Sequence, residues 1–418
     1  MTFEKLFESI EWPASEPGPI GELFGVRIEF LLFAATLIGV AVFHKHTLKV
    51  ALCGVFAVLC FRLIFLGDLH IMEHFIYGRT TDKGVRVEGE WGMLINLLGL
   101  LTGFALLAKH FEDSRLPLVM PRYLPDGVMG GAALLAVVFV MSAFLDNIAA
   151  AMIGGTIAKV VYRGRVHVGF IAALVAAANA GGAGSVVGDT TTTMLWIANV
   201  SPRQLLPAFV ASGVAFCIMA FFATRKQAAY QAITRDAPQG VRVDWARLLI
   251  VFMILLGAIL ANVFLDFPAV GVWAAIVVGS FLRPTSWREL PAAGKGALFL
   301  ICLVVSASLM PVEQLPLANT RTAFLLGFVS SVFDNIPLTR LAIQQGGYDW
   351  AMLAYSVGFG GSMVWFGSSA GVAISTSFPE ARSVVNWLKG GWFIALAYVA
   401  GFLAQYIIIG WNPTFMVG

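Results

Sequence analysis

Long apolar runs separated by short polar connectors set the pattern of this chain. Runs of about 15–22 apolar residues recur from residue 25 to residue 411, and a helix needs about 20 such residues to cross a bilayer. The runs do not alternate apolar and polar residues with period 2, so membrane barrel strands do not fit. The pattern predicts helices near 25–43, 50–67, 91–109, 205–224, 247–265, 268–283, 296–311 and 388–411. Four further stretches, 127–161, 168–200, 322–345 and 350–376, carry polar or glycine-rich interruptions.

Lys and Arg mark the cytoplasmic side of a membrane protein. Here they gather in the connectors 44–49, 109–122, 159–167, 225–247 and 283–295. With those connectors inside, an external tail (1–24) precedes a first half (25–224), a cytoplasmic linker (225–246) and a second half (247–418). Residues 127–161 then begin and end in the cytoplasm, which a re-entrant helical hairpin with its tip at 142–147 satisfies. Irregular backbone at such depth needs protein or a water-filled cavity around it. Residues 168–200 are too long for one crossing and hold four glycines within 178–189. Each glycine costs a helix about 1 kcal/mol relative to Ala. The expectation is a helix, an unwound middle and a second half-helix capped by Asp189 and Thr190.

The first half then holds five crossings and a hairpin, so the second half starts from the opposite side. Its hairpin (322–345) enters from outside, its broken helix (350–376) is interrupted at 358–369, and 388–411 is the last crossing. The expected fold is an all-α polytopic membrane protein with an inverted-topology repeat. It has about ten transmembrane helices, two re-entrant hairpins and two broken helices, and both termini are outside.

Polar motifs repeat inside the apolar runs. Asp146-Asn147 sits in Ser-Ala-Phe-Leu-Asp-Asn-Ile (142–148), and Asp334-Asn335 sits in Ser-Ser-Val-Phe-Asp-Asn-Ile (330–336). Gly181-Gly182 and Gly188 match Gly360-Gly361 and Gly367 at one constant offset. The same alignment sets Asp189 against Ser368 and, in the hairpins, Met152 against Arg340. An ionisable residue in a bilayer is costly and is a functional candidate by default. Opposed hairpins and broken helices meeting near the midplane build many secondary-transporter sites.

The candidate ligands are the carboxylates of Asp146, Asp189 and Asp334 and the amides of Asn147, Asn179 and Asn335. Hydroxyls of Ser185, Thr190 to Thr193, Ser362 and Ser368 add to them. Such oxygens suit hard cations such as Na⁺. Desolvation disfavours a charged carboxylate, so one group can take a proton or Na⁺, and that competition couples the two fluxes. The competing structural reading has the Asp-Asn pairs and Asp189 only capping helices and the glycines only easing helix packing. Arg340 could snorkel outward, pair with a carboxylate or hold an anionic substrate.

Composition narrows the remaining choices. Only 12% of the 418 residues are charged and 59% are hydrophobic, where a soluble domain carries about 25% charge. A net charge of +3 gives no argument for nucleic acid. Cys53, Cys60, Cys217 and Cys302 lie in apolar segments, unlike a disulfide framework or a metal site. The six histidines lie in loops or at segment ends, which disfavours a histidine proton relay. His70-Ile-Met-Glu73-His74 fits the H-x-x-E-H metallopeptidase pattern, but it lies in a short loop without a surrounding domain. The expected partners are membrane lipid and a small ion or small-molecule substrate, without nucleic acid; a homodimer stays open. No cofactor is expected, with Na⁺ and H⁺ as cargo.

The motif residues resemble the ion transporter superfamily, and within it the NhaD-type sodium/proton antiporters. The likeness lies in Ser142-Ala-Phe-Leu-Asp-Asn, Ala178-Asn-Ala-Gly-Gly-Ala and Gly188-Asp-Thr-Thr-Thr-Thr-Met-Leu-Trp196. It continues in Asp334-Asn335-Ile336-Pro337-Leu338-Thr339 and in the block from Gly360-Gly361-Ser362 to Gly367-Ser-Ser-Ala-Gly371. It covers most of residues 90–410. The resemblance implies exchange of Na⁺ or Li⁺ for H⁺ across a bacterial inner membrane, with Asp146, Asp189 and Asp334 as ion or proton carriers. Two departures stand out. Ala149-Ala150-Ala151 follows the first Asp-Asn pair where the family often carries hydroxyls, and Arg340 adds a charge to the second hairpin. The alternative is a citrate-like organic-anion transporter, a class that carries Ser-Asn-Thr motifs which this chain lacks.

Overall fold

The computed structural model describes residues 22–23, 26–43, 46–65, 79–80, 86–87, 89, 91–119, 122–186, 188–198, 200–233, 241–309 and 317–414. Apart from two antiparallel two-residue strand pairs (Glu22–Leu23 with Val26–Arg27, Arg79–Thr80 with Arg86–Val87), its regular structure is helical. The His70 to His74 motif lies outside the described residues, as do most of residues 1–24 and part of 225–246.

Helices α1 (Ile28–Val42), α2 (Thr47–Phe65) and α3 (Trp91–Asp113) come first. Then follow α4 (Gly127–Ser142), α5 (Asn147–Val161), α6 (Val168–Gly182), α7 (Thr190–Ile197) and α8 (Ala208–Tyr230). Next are α9 (Trp245–Leu265), α10 (Pro268–Leu282), α11 (Leu290–Ser308), α12 (Thr320–Ser330) and α13 (Asn335–Gln345). The chain ends with α14 (Trp350–Gly360), α15 (Ser369–Ser377), α16 (Val384–Gly391) and α17 (Phe393–Ile408).

Local chemistry sets the boundaries. Asp244 caps α9 by accepting from the N–H groups of Ala246 (3.1 Å) and Arg247 (3.3 Å). The same helix ends at Asp266, whose φ of 53° is left-handed, a conformation Asp tolerates better than most residues. Pro268 then opens α10, where its missing N–H costs nothing.

Five helices are long and apolar enough to cross a membrane, or six if the bent pair α16–α17 counts as one span. Shorter apolar helices, among them α4, α5, α6 and α10, fall below that length. Large apolar side chains such as Phe252, Phe264 and Phe281 point outward from α9 and α10. The chain is a polytopic helical membrane protein.

Two short helices form the centre. Every residue of α6 from Gly169 to Gly182 is buried, and so is all of α14. A helix that is apolar all round belongs in a core. Small residues let the neighbours approach. A Cβ at Gly181 would strike the carbonyl oxygen of Phe139 on α4, and one at Gly360 would strike that of Gly327 on α12. At the same junctions Ser142 Oγ donates to Ala178 O (2.5 Å) and Ser330 Oγ donates to Val357 O (2.6 Å). Across the molecule α5 packs on α15, and α13 packs on α7.

Two features differ from the sequence reading. Helix α6 runs on to Gly182 and α14 to Gly360, so the interruptions expected at 178 and at 358 start later. In α6, packing of small side chains against α4 outweighs the glycine penalty. The last apolar stretch starts earlier, at Val384, and is a pair of helices, α16 and α17, bent by 58° instead of one straight helix.

Candidate functional site

The stretch between α4 and α5 is a turn, with Asp146 as N-cap of α5; its Oδ1 accepts from Ile148 N at 2.8 Å. The stretch between α12 and α13 is built alike, with Asp334 as N-cap of α13. The Asp334 carboxylate, however, closes no capping hydrogen bond of good geometry; the N–H groups of Asn335 and Ile336 and the Ser369 hydroxyl face its two buried oxygens without meeting that geometry. The two aspartates therefore differ, although their sequence contexts match.

The asparagines that follow them meet. Asn147 Nδ2 donates to Asp189 Oδ1 (3.1 Å) and to Asn179 Oδ1 (3.0 Å). From the other hairpin, Asn335 Nδ2 donates to the same Asp189 Oδ1 (3.3 Å) and to Thr191 Oγ1 (2.9 Å). Asp189 is the N-cap of α7, where its Oδ1 also accepts from Thr191 N (3.4 Å) and Thr190 Oγ1 (3.3 Å). Asn179 Nδ2 reaches on to Ser362 Oγ (2.9 Å) and Ser368 Oγ (3.2 Å). Ser368 caps α15 by accepting from Gly371 N (3.3 Å). One buried network thus joins both hairpin tips and both interrupted helices, and Asp189 is its hub.

Asp189, Asn147, Asn179, Asp334, Asn335, Ser362 and Ser368 are all buried. Asp146 and Asp334 lie within electrostatic reach of Asp189. Five oxygens here have no hydrogen-bond partner: Asp189 Oδ2, Asn147 Oδ1, Asn335 Oδ1 and both oxygens of Asp334. Buried polar atoms are nearly always paired with protein or with water, so these acceptors can take a water, a proton or a cation. Among the described residues no three His, Cys, Asp or Glu side chains gather to hold a metal ion. Any cation here would be held by a mixture of carboxylate and amide oxygens, a donor set that suits hard ions.

The glycines act as close-approach points. A Cβ at Gly182 would lie 2.5 Å from Gly188 O, and one at Gly361 would lie 2.6 Å from Gly367 O, so each glycine pair lets the chain fold back on itself. The threonines divide their work. Thr192 Oγ1 donates to Ser185 O (2.5 Å) and Thr193 Oγ1 to Val186 O (2.9 Å), which ties the irregular segment to the first turn of α7. Those two hydroxyls serve backbone, while Thr190 and Thr191 face Asp189. Arg340 falls within α13, and its side chain lies outside the described residues. The sequence does not separate Thr191 from its run, and it marks Gly358 only as the start of an interruption, not as a neighbour of the hub; a Cβ there would lie 2.9 Å from Asp189 Oδ2.

No family model matches the chain. It is similar to sodium/proton antiporter 1 of Arabidopsis thaliana, 28% identical over 324 residues, covering 65% of this chain and 54% of the relative. Sodium/proton antiporter 2 of the same plant is 26% identical over 323 residues, covering 65% and 74%. The Na(+)/H(+) antiporter NhaD of Halomonas elongata is 26% identical over 292 residues, covering 56% and 58%. The chain thus spans little more than half the length of the first and third of these relatives. What this chain is similar to, at 26–28% identity, is thus a set of proteins named as sodium/proton antiporters, NhaD among them.

Proposed function

We propose that this protein is a secondary active transporter that exchanges Na⁺ for H⁺. The observation that carries this reading is the set of bare acceptor oxygens around Asp189. Acceptors without donors bind a cation or a proton and repel an anion, which argues against the organic-anion alternative. Proton and Na⁺ compete for the same carboxylates: Asp189 Oδ2 and the two oxygens of Asp334. Asp146 is committed in part to capping α5 and acts as a nearby charge.

The names of the relatives support the same cargo. The two halves, 25–224 and 247–418, form an inverted repeat whose hairpins enter from opposite faces. The matched junctions Ser142–Ala178 and Ser330–Val357 support that arrangement. Alternating access follows if the hairpin tips and interrupted helices move as a body against the longer spans, carrying Asp189 from one face to the other.

Purified protein in proteoliposomes tests the reading with an internal pH dye. A Na⁺ pulse drives proton movement, and Asp189→Asn abolishes it. Uptake of citrate without sodium-dependent proton flux would overturn the proposal.

A further inference from the structure

The offset of 179 that takes Gly181 to Gly360 and Gly182 to Gly361 also takes Asn179 to Gly358 and Asp189 to Ser368. The first half supplies an amide and a carboxylate where the second supplies a bare backbone and a hydroxyl. Asn179 is fully used: its Oδ1 accepts from Asn147, and its Nδ2 donates across to Ser362 and Ser368. Its side chain thereby fills the space beside Ser368. On the other side residue 358 is glycine, and among the described residues only Asp189 itself reaches the position its side chain would take.

The Asp189 carboxylate is split by this arrangement. Oδ1 is saturated by Asn147, Asn335, Thr190 and Thr191. Oδ2 is buried and bare. Apart from its own helix and chain neighbours, a Cβ on residue 358 would meet one atom of the described residues within 4 Å, and that atom is Asp189 Oδ2 at 2.9 Å. The room left by the missing side chain therefore adjoins the free oxygen.

We propose that Gly358 is a specificity-determining residue: the transported cation docks on Asp189 Oδ2, and the missing side chain at 358, which would crowd that oxygen, sets which alkali cation fits against it. The site is single and lopsided, not one of a symmetric pair, since the equivalent space in the other half is taken by Asn179. This inference rests on the cation reading above. It extends that reading from the charge of the cargo to its size.

The test compares Na⁺ and Li⁺ on purified protein and in proteoliposomes. Readouts are cation-induced thermal stabilisation, which needs no transport, and cation-dependent proton flux. Gly358→Ala is expected to weaken apparent Na⁺ affinity about ten-fold, the scale of one misplaced methyl group, with a smaller loss for the smaller Li⁺. Asp189→Glu crowds the same space from the opposite side without altering α14, and it should shift the preference toward Li⁺ in the same sense. It carries the test if the alanine variant does not fold. Gly213→Ala, where a Cβ meets nothing within 4 Å, is the control and leaves both affinities unchanged. Unaltered or equally weakened Na⁺ and Li⁺ responses in the folded Gly358 or Asp189 variant would overturn the inference alone. A wild-type protein silent to both ions would instead sink the antiporter reading.

Discussion

Asn147 and Asn335 lie 188 residues apart and direct their amide nitrogens at one oxygen, Asp189 Oδ1, from 3.1 and 3.3 Å. A carboxylate held by donors from both hairpins is fixed in place while its second oxygen stays free. Removing the charge tests what that free oxygen does. Asp189→Asn keeps an acceptor for the two amides and can turn its own Nδ2 toward a bare amide oxygen. The fold should be unchanged or more stable by about 1 kcal/mol, because an unpaired buried charge is costly. Transport should be lost. Thermal unfolding and proteoliposome flux on one preparation separate the two effects. A loss of both stability and transport would make Asp189 structural.

The shared oxygen also predicts coupling. Asn147→Ala and Asn335→Ala each remove one donor to the hub. Each should cost about 1–3 kcal/mol by leaving buried groups unpaired. Their effects should not add, because the two sites share a partner. A double-mutant cycle on unfolding midpoints should give a coupling of about 0.5–3 kcal/mol. Simple additivity would mean that the two tips do not meet at Asp189.

The two matched aspartates should respond differently. Asp146 caps α5 through Ile148 N, whereas Asp334 makes no capping bond. Asp146→Ala should cost about 0.5–2 kcal/mol as a lost N-cap, and Asp146→Asn, which can still cap, should recover most of it. Asp334→Ala should cost less than Asp146→Ala, since the Asp334 carboxylate closes no capping bond. Asp334→Asn should still stop transport. Equal stability losses for the two alanine variants would erase the distinction.

Much of this architecture was legible before any coordinates. Apolar run length located the helices, because a bilayer imposes length and internal hydrogen bonding. The repeated Asp-Asn and Gly-Gly motifs marked the interruptions. Reach across the molecule was not legible. Asp189 read equally well as a simple cap, and it does cap α7, but its role as hub depends on two side chains arriving from distant hairpins. Gly358 reads in the sequence only as the start of an interruption, since its further meaning lies in the atom its absent side chain would strike. The end of α6 was misplaced because packing against Phe139 overrides local glycine propensity. The 58° bend at the end of the chain has no breaker residue such as proline in its sequence; Gly390-Gly391 was its only trace.

One pH effect should arise away from the network. His167 caps α6 outside the helix, its Nδ1 accepting from Gly169 N at 3.0 Å. An accepting Nδ1 must be unprotonated. Burial, and then the positive charge of Lys226, hold the His167 pKa below its ordinary 6.5. The unfolded chain therefore binds the proton more readily, and stability rises with pH through this window. The contribution is complete above about pH 6.5 and is lost as pH falls from there toward the lowered folded-state value. His167→Asn keeps a capping acceptor that does not titrate. Unfolding temperatures at about pH 8 and about pH 5.5 should fall further for the wild type than for this variant. Parallel losses would assign the acid sensitivity elsewhere.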